Sequence, residues 1–343
     1  MLRRSKRAMS AGLCLLISSV AGNAVAAGGA EFYKGKTVTV IVAFGAGGAY
    51  GLYTQLMAKH LPRFLPGKPT IIPQYMPGAG GIKASNYVYN VAARNGLVMS
   101  SLSDSLVITA VLRPERIKYK ANEFTWIGAP VRMNNVLAMR RDSGLTSFDA
   151  ITRKEAVLAA TGLGSQATIL PKMLAWLSPA KIKVVTGYKG SRGMLGAMER
   201  KEVQGMSLAW TSWKTLKGGW FKDGSAVPIV QFGLSPEADL QSIPLALNLA
   251  RSADEKAIVK FMSSTSQIGR SVQFPPKVPS DRIAAIRAAF DRMVKDPAYV
   301  SDVTKRNAFL NPASGAVIQK AVAEAMKFDP ALAAKARRGI FGK

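Results

Sequence analysis

Two glycine-rich stretches carry the residue types and spacing best suited to chemistry: Phe44-Gly45-Ala46-Gly47-Gly48-Ala49-Tyr50-Gly51 and Pro77-Gly78-Ala79-Gly80-Gly81. Each follows a short apolar run and precedes residues with helical spacing. Glycines at a strand-to-helix junction let the backbone come close to a ligand, which the first helical N–H groups and the positive end of the dipole then face. No Asp or Glu lies between Glu31 and Asp104, so nothing local opposes a bound negative charge. The pair reads as an anion cradle; the plainer alternative is two ordinary tight turns in an α/β fold. A third loop, Thr161-Gly162-Leu163-Gly164-Ser165-Gln166, also follows an apolar run, and so does Gly187-Tyr188-Lys189-Gly190. Ser103, Thr161, Ser165, Gln166, Thr211 and Ser212 could complete a neutral hydrogen-bonding site, in which consecutive N–H groups take a carboxylate without a buried arginine. Tyr188, Trp210 and Trp213 would wall it; by default such aromatics are simply core.

Other chemistries fit less well. His60 is the sole histidine and lies about two helical turns from the first loop, so a Ser-His-Asp arrangement or a histidine metal site around it is not expected. No catalytic residue, metal ligand or cofactor is assigned. Gly45, Gly47 and Gly51 imitate a dinucleotide fingerprint, but the acid expected about 20 residues on is missing. The Lys-Ser/Thr pair that completes a P-loop is missing too.

The elements that must position these loops alternate. Strands are expected over 36–44, 70–72 and 97–101, with helices over 52–61 and 82–93, Pro62 kinking or ending the first. This order predicts a parallel sheet, whose ligands sit beyond the carboxyl ends of its strands. A second set follows: strands 136–139, 155–160, 183–186 and 203–208, with helices 147–153 and 194–200. A strand over 229–234 is expected to return toward the first lobe. A helix over 281–294 has Ser280 as its expected N-cap.

The chain opens with Arg3, Arg4, Lys6 and Arg7, an apolar stretch over 11–21, and Ala24-Val25-Ala26. This is the pattern of a secretory leader over 1–26, and its core is too short to span a bilayer. Cys14, the only cysteine, would leave with it. Disulfide-free export points to a bacterial periplasm. The remaining length, about 315 residues, exceeds one ordinary core and predicts two lobes. The formal charge of +27 would draw in anions. Export excludes nucleic acid as the partner, leaving an acidic small molecule or the anionic envelope, unless the charge is only a solvated surface.

Several stretches together resemble the solute-binding receptors of tripartite tricarboxylate transporters, the Bug family. They are Gly47-Gly48, Met76-Pro77-Gly78-Ala79-Gly80-Gly81, Ala84-Ser85-Asn86-Tyr87, Thr161-Gly162-Leu163-Gly164-Ser165, Gly187-Tyr188-Lys189-Gly190, 236–244, 275–290 and Asn311-Pro312 with Ser314-Gly315. The resemblance implies a two-lobed periplasmic binding protein fold, each lobe a mixed, mostly parallel sheet flanked by helices. Residues 31–136 with 231–343 would form the first lobe, and 137–230 the second. It further implies a monomer that captures a di- or tricarboxylate or an aromatic acid by hinge closure and delivers it to membrane permease subunits. Two departures stand out: Gly51 occupies the place of the family's usual Asp, and Tyr75 that of its Asn. They point to a bulkier or more anionic acid, or to loss of the family's binding. Contacts are expected from 47–51, 77–81 and Ser103 in the first lobe, and from 161–166, Tyr188-Lys189-Gly190 and Thr211-Ser212 in the second. A ligand-sensing partner of a membrane sensor kinase is the alternative within this fold, and an exported hydrolase the alternative outside it.

Overall fold

The apolar alternation of Thr37 to Val42 makes a central strand with two buried faces, and the rest of the first lobe builds outward from it. A computed structural model describes residues 29–342. The expected leader lies outside them. Among the described residues the strands are β1 (Thr37–Val42), β2 (Thr70–Tyr75), β3 (Val98–Ser101), β4 (Thr125–Ala129), β5 (Asn135–Arg140), β6 (Ala156–Ala159), β7 (Ile182–Val185), β8 (Gly205–Ala209), β9 (Ala226–Phe232), β10 (Val272–Phe274) and β11 (Ala313–Ser314). The α-helices are α1 (Ala49–His60), α2 (Ile82–Asn90), α3 (Leu106–Leu112), α4 (Phe148–Arg153), α5 (Gln166–Leu177), α6 (Ser191–Glu199), α7 (Trp210–Lys222), α8 (Ala253–Ser263), α9 (Ser280–Met293), α10 (Pro297–Lys305), α11 (Gly315–Ala325) and α12 (Pro330–Phe341). None is long and apolar enough to cross a membrane.

The strands form two mixed sheets, one ordered β11-β4-β10-β3-β1-β2 and the other β7-β6-β8-β5-β9. In the first, β1 runs parallel to β2 and β3. Strand β10 enters antiparallel between β3 and β4. In the second, β6 runs parallel to β7 and β8, and β5 lies antiparallel to β8 and β9. This is a two-lobed α/β architecture.

The two-residue period divides each sheet between two cores. Val38 and Val40 pack with Met57, Phe274 and Phe290 on one face of the first sheet, while Ile41 joins Val88, Trp126 and Ile318 on the other. Likewise Leu137 and Met139 pack with Ile169, Leu170 and Val230, while Val136 and Ala138 face Met206 and Trp213. Ile108 and Leu112 of α3, Ile258 of α8 and Ala336 of α12 also join the core built on Leu137 and Met139.

The strand expected over 229–234 is β9, an edge of the second sheet, where Val230 pairs with Leu137 and is buried; it runs antiparallel to β5, which enters from the first lobe, and so carries the chain back toward that lobe. Two expectations change. Ser280 is the first helical residue of α9; Pro279 precedes it as N-cap, with no side-chain cap bond. Trp210 and Trp213 open α7 and turn into the second lobe's core, where the Trp213 indole donates to the Val136 carbonyl at 3.1 Å. Because Trp213 is fully buried, Trp213→Ala is expected to lower unfolding stability by about 3–5 kcal/mol in a urea titration; a loss under about 1 kcal/mol would show that this core repacks freely.

Candidate ligand-binding cleft

Both sheets reverse their strand order at one point, and the two points face each other. From β1 the chain goes to β2 on one side and later to β3 on the other; from β6 it goes to β7 and then to β8. Loops leaving neighbouring strands in opposite directions open a crevice at their carboxyl ends. Phe44, Gly48 and Tyr50 follow β1, Ser103 and Asp104 follow β3, and Thr161, Ser165 and Gln166 follow β6. All of them line one cavity, together with Asn135 of β5 and Ser207 of β8. Its volume is about 50 Å3, well below the roughly 300–1,000 Å3 of drug-sized pockets. Larger open grooves lie elsewhere, one of about 620 Å3 on the outside of the second lobe and one of about 800 Å3 between α7 and the stretch that holds Asn307 and Phe309. Their charges are largely paired, Arg140 with Asp142, Lys217 with Glu199 and Lys214 with Asp239.

Arg270 also lines the cavity, and its burial overturns the expected neutral site. It is 5% exposed. Gly269, at φ +60° and packed against the Val131 carbonyl, turns the chain just ahead of β10. The Arg270 amide then donates to that carbonyl at 2.9 Å. Because β10 runs antiparallel to β3, its start lies at the carboxyl end of β3, over the cleft. The guanidinium sits 4.1 Å above the Tyr50 ring, donates to Asp104 Oδ2 at 3.1 Å and reaches Ser212 Oγ at 3.4 Å. The Tyr50 hydroxyl accepts from the Asp104 amide at 2.9 Å. Burial pushes the Asp104 carboxyl upward and the Arg270 charge opposes that shift. Among the described residues, three that line the cavity each carry a buried polar atom without a hydrogen-bond partner: Arg270 Nε, Thr161 Oγ1 and Ser207 Oγ. Buried polar atoms are ordinarily satisfied, so three around one small cavity mark a place for a polar ligand.

The remaining sequence-selected residues hold the lobes together. Gly80, at φ +69°, lies where an added Cβ would come 2.4 Å from the Ser165 amide nitrogen. Gly162 faces it, with the corresponding position 2.6 Å from the Gly80 nitrogen. Pro77, Gly78, Ala79 and Gly81 continue that loop without lining the cavity. The Gly45 amide donates to the Lys189 carbonyl at 3.1 Å, and Arg192 Nε donates to the Gly47 carbonyl at 3.0 Å. Ser105 donates to the Gly164 carbonyl at 2.6 Å, which leaves the Ser103 hydroxyl to donate to Ser105, also at 2.6 Å. Ala49 packs in the first lobe's core, and Gly190 precedes α6 as its N-cap. Tyr188 packs against the second lobe's core, and Thr211 Oγ1 is buried without a partner outside the cavity. At Gly51 an added Cβ would lie 2.1 Å from the Ala46 carbonyl oxygen, leaving no room for a carboxylate. Tyr75 is engaged by Gln55 at 3.0 Å, away from the cavity. His60 is also remote: Arg63 donates to Nδ1 at 3.1 Å, so Nε2 carries the proton given to Asp302 at 2.9 Å.

Sequence reasoning missed Arg270, Asp104, Asn135 and Ser207. Of these only Asp104 carried a signal: it ends the long acid-free stretch immediately after an expected strand.

Two α/β lobes meeting at their switch points define the periplasmic binding protein fold, and solved structures bear this out. The chain is similar to the periplasmic binding protein BugD with a TM-score of 0.70 and 17% identity, over 90% of this chain and 98% of that one. It is similar to MatC of Rhodopseudomonas palustris, solved with bound malate, with a TM-score of 0.69 and 18% identity, over 89% and 99%. For Rpa4515 of R. palustris, solved with adipate, the values are 0.64 and 16%, over 89% and 97%. No family model and no curated protein sequence matches the chain. The likeness is therefore one of fold.

The glycine contact makes a prediction. Gly80→Ala would strain a left-handed backbone by about 1–2 kcal/mol and press a methyl group on Ser165. In solution scattering the variant should have a larger radius of gyration than the unsubstituted protein, with an unchanged far-UV circular dichroism spectrum. Identical scattering profiles would show that the two loops do not govern how closely the lobes meet.

Proposed function

We propose that the protein is an exported solute receptor that captures an organic carboxylate between its lobes and hands it to membrane permease subunits. The observation that carries this reading is Arg270: a guanidinium 5% exposed at the meeting point of both lobes, with Nε unpartnered. A buried cation with a spare donor favours a small anion, and the start of α5, at Ser165 and Gln166, adds amide dipoles of the right sign. The acids held by MatC and Rpa4515 support a carboxylate as the ligand class. In this reading the lobes are 31–136 with 231–343 and 137–230. They close about the crossings near Val136 and Gln231, and the leader over 1–26 sends the chain to the periplasm. Permease delivery rests on the resemblance of the loop motifs.

Ligand that binds only the folded form raises stability by about 2.7 kcal/mol at 100 times its Kd. A thermal-shift screen of organic acids should therefore raise Tm by several degrees for at least one of them, and the shift should shrink in Arg270→Gln. If no acid changes Tm at millimolar concentration, the receptor reading is wrong.

A further inference from the structure

Among the described residues only two charged side chains line the cavity, Arg270 and Asp104, and they face each other at 3.1 Å. Their charges cancel, so the cleft is not the strongly cationic site that the overall charge of +27 suggests. Asp104 is 5% exposed and Arg270 is likewise buried, so neither charge is screened by bulk water. An incoming carboxylate can take the unpartnered Arg270 Nε–H, with Thr161 Oγ1 and Ser207 Oγ as further donors. A bound monocarboxylate already sets two carboxylates against one guanidinium, an excess of one negative charge, and a second carboxylate on the ligand would double that excess. Each further buried charge without a counterion of its own is strongly unfavourable.

We infer that this cleft selects short organic acids carrying a single carboxylate: Arg270 anchors that group, and Asp104 rejects ligands that bring a second negative charge. The inference rests on the receptor reading above and names its ligand class. It runs against the bulkier or more anionic acid suggested by Gly51 and Tyr75. The structure gives the reason: both positions lie outside the cavity, and Asp104 supplies its carboxylate from the loop after β3. Tyr50 and Ser212 hold the pair in place without adding charge.

Isothermal titration of the purified protein with chain-length-matched pairs tests this, using lactate against malonate and butyrate against succinate. The unsubstituted protein should bind the monocarboxylate of each pair at least tenfold more tightly. Asp104→Asn keeps the shape of the side chain and removes its charge. It should bring the mono-to-dicarboxylate ratio down at least tenfold, a change that a purely structural role for Asp104 would not produce. Dicarboxylates binding as well as or better than their partners in the unsubstituted protein would overturn the inference and leave the receptor reading standing. An unchanged ratio in Asp104→Asn would remove Asp104 as the discriminating residue. No binding of either class would remove the receptor reading, and this inference with it.

Discussion

A guanidinium taken almost wholly out of water must be given partners, and the site is organised around meeting that demand for Arg270. Its backbone is fixed by Val131 beneath the turn at Gly269, its flat face rests on Tyr50, and its edge meets Asp104 and Ser212. These contacts come from four separate stretches of the chain: the first turn of α1, the loop after β3, the connection between β4 and β5, and the start of α7. Asp104 is held by the same set, since its amide donates to Tyr50 while its carboxylate accepts from Arg270. Of the three guanidinium nitrogens, Nε alone makes no hydrogen bond among the described residues, and that open donor connects the packing to the proposed function.

The glycine loops act differently from a ligand cradle alone. Their main visible work is to let two backbones touch. Gly80 against Ser165, Gly162 against Gly80, and Gly45 against Lys189 bring the carboxyl-end loops of the two sheets into direct contact. With any side chain at 80 or 162 this approach would be blocked. The loops therefore set how small the cavity is, while Arg270 and Asp104 set what charge it accepts. Size and charge are thus controlled by separate residues of one cleft.

Much of the frame was legible because it is local. Val38 to Ala43 is an apolar run, glycines follow it, and Leu52 and Leu56 recur at helical spacing, so β1, its loop and α1 can be read within one window. The same is true of β6 and the loop from Thr161. Gly48, Tyr50, Ser103, Thr161, Ser165 and Gln166 could be placed near a cleft for that reason. Arg270 could not. It sits in Ile268-Gly269-Arg270-Ser271, which has no periodicity, and it reaches the site only because a three-residue strand, β10, inserts antiparallel between β3 and β4. That pairing is made with partners over a hundred residues away and leaves no local pattern. Trp210 and Trp213 show the converse: their position after an expected strand suggested cleft walls, yet their large apolar area is buried in the core instead.

The central claim is that an acid sits in this cleft with its carboxylate on Arg270. A crystal structure of the protein grown with a saturating short monocarboxylate tests it most directly. The account predicts ligand density between the lobes with a carboxylate oxygen about 2.7–3.2 Å from Arg270 Nε, and with Thr161 or Ser207 within hydrogen-bond reach. Density for the acid elsewhere on the molecule, or a cleft in which Arg270 Nε stays unpartnered beside bound ligand, would contradict it.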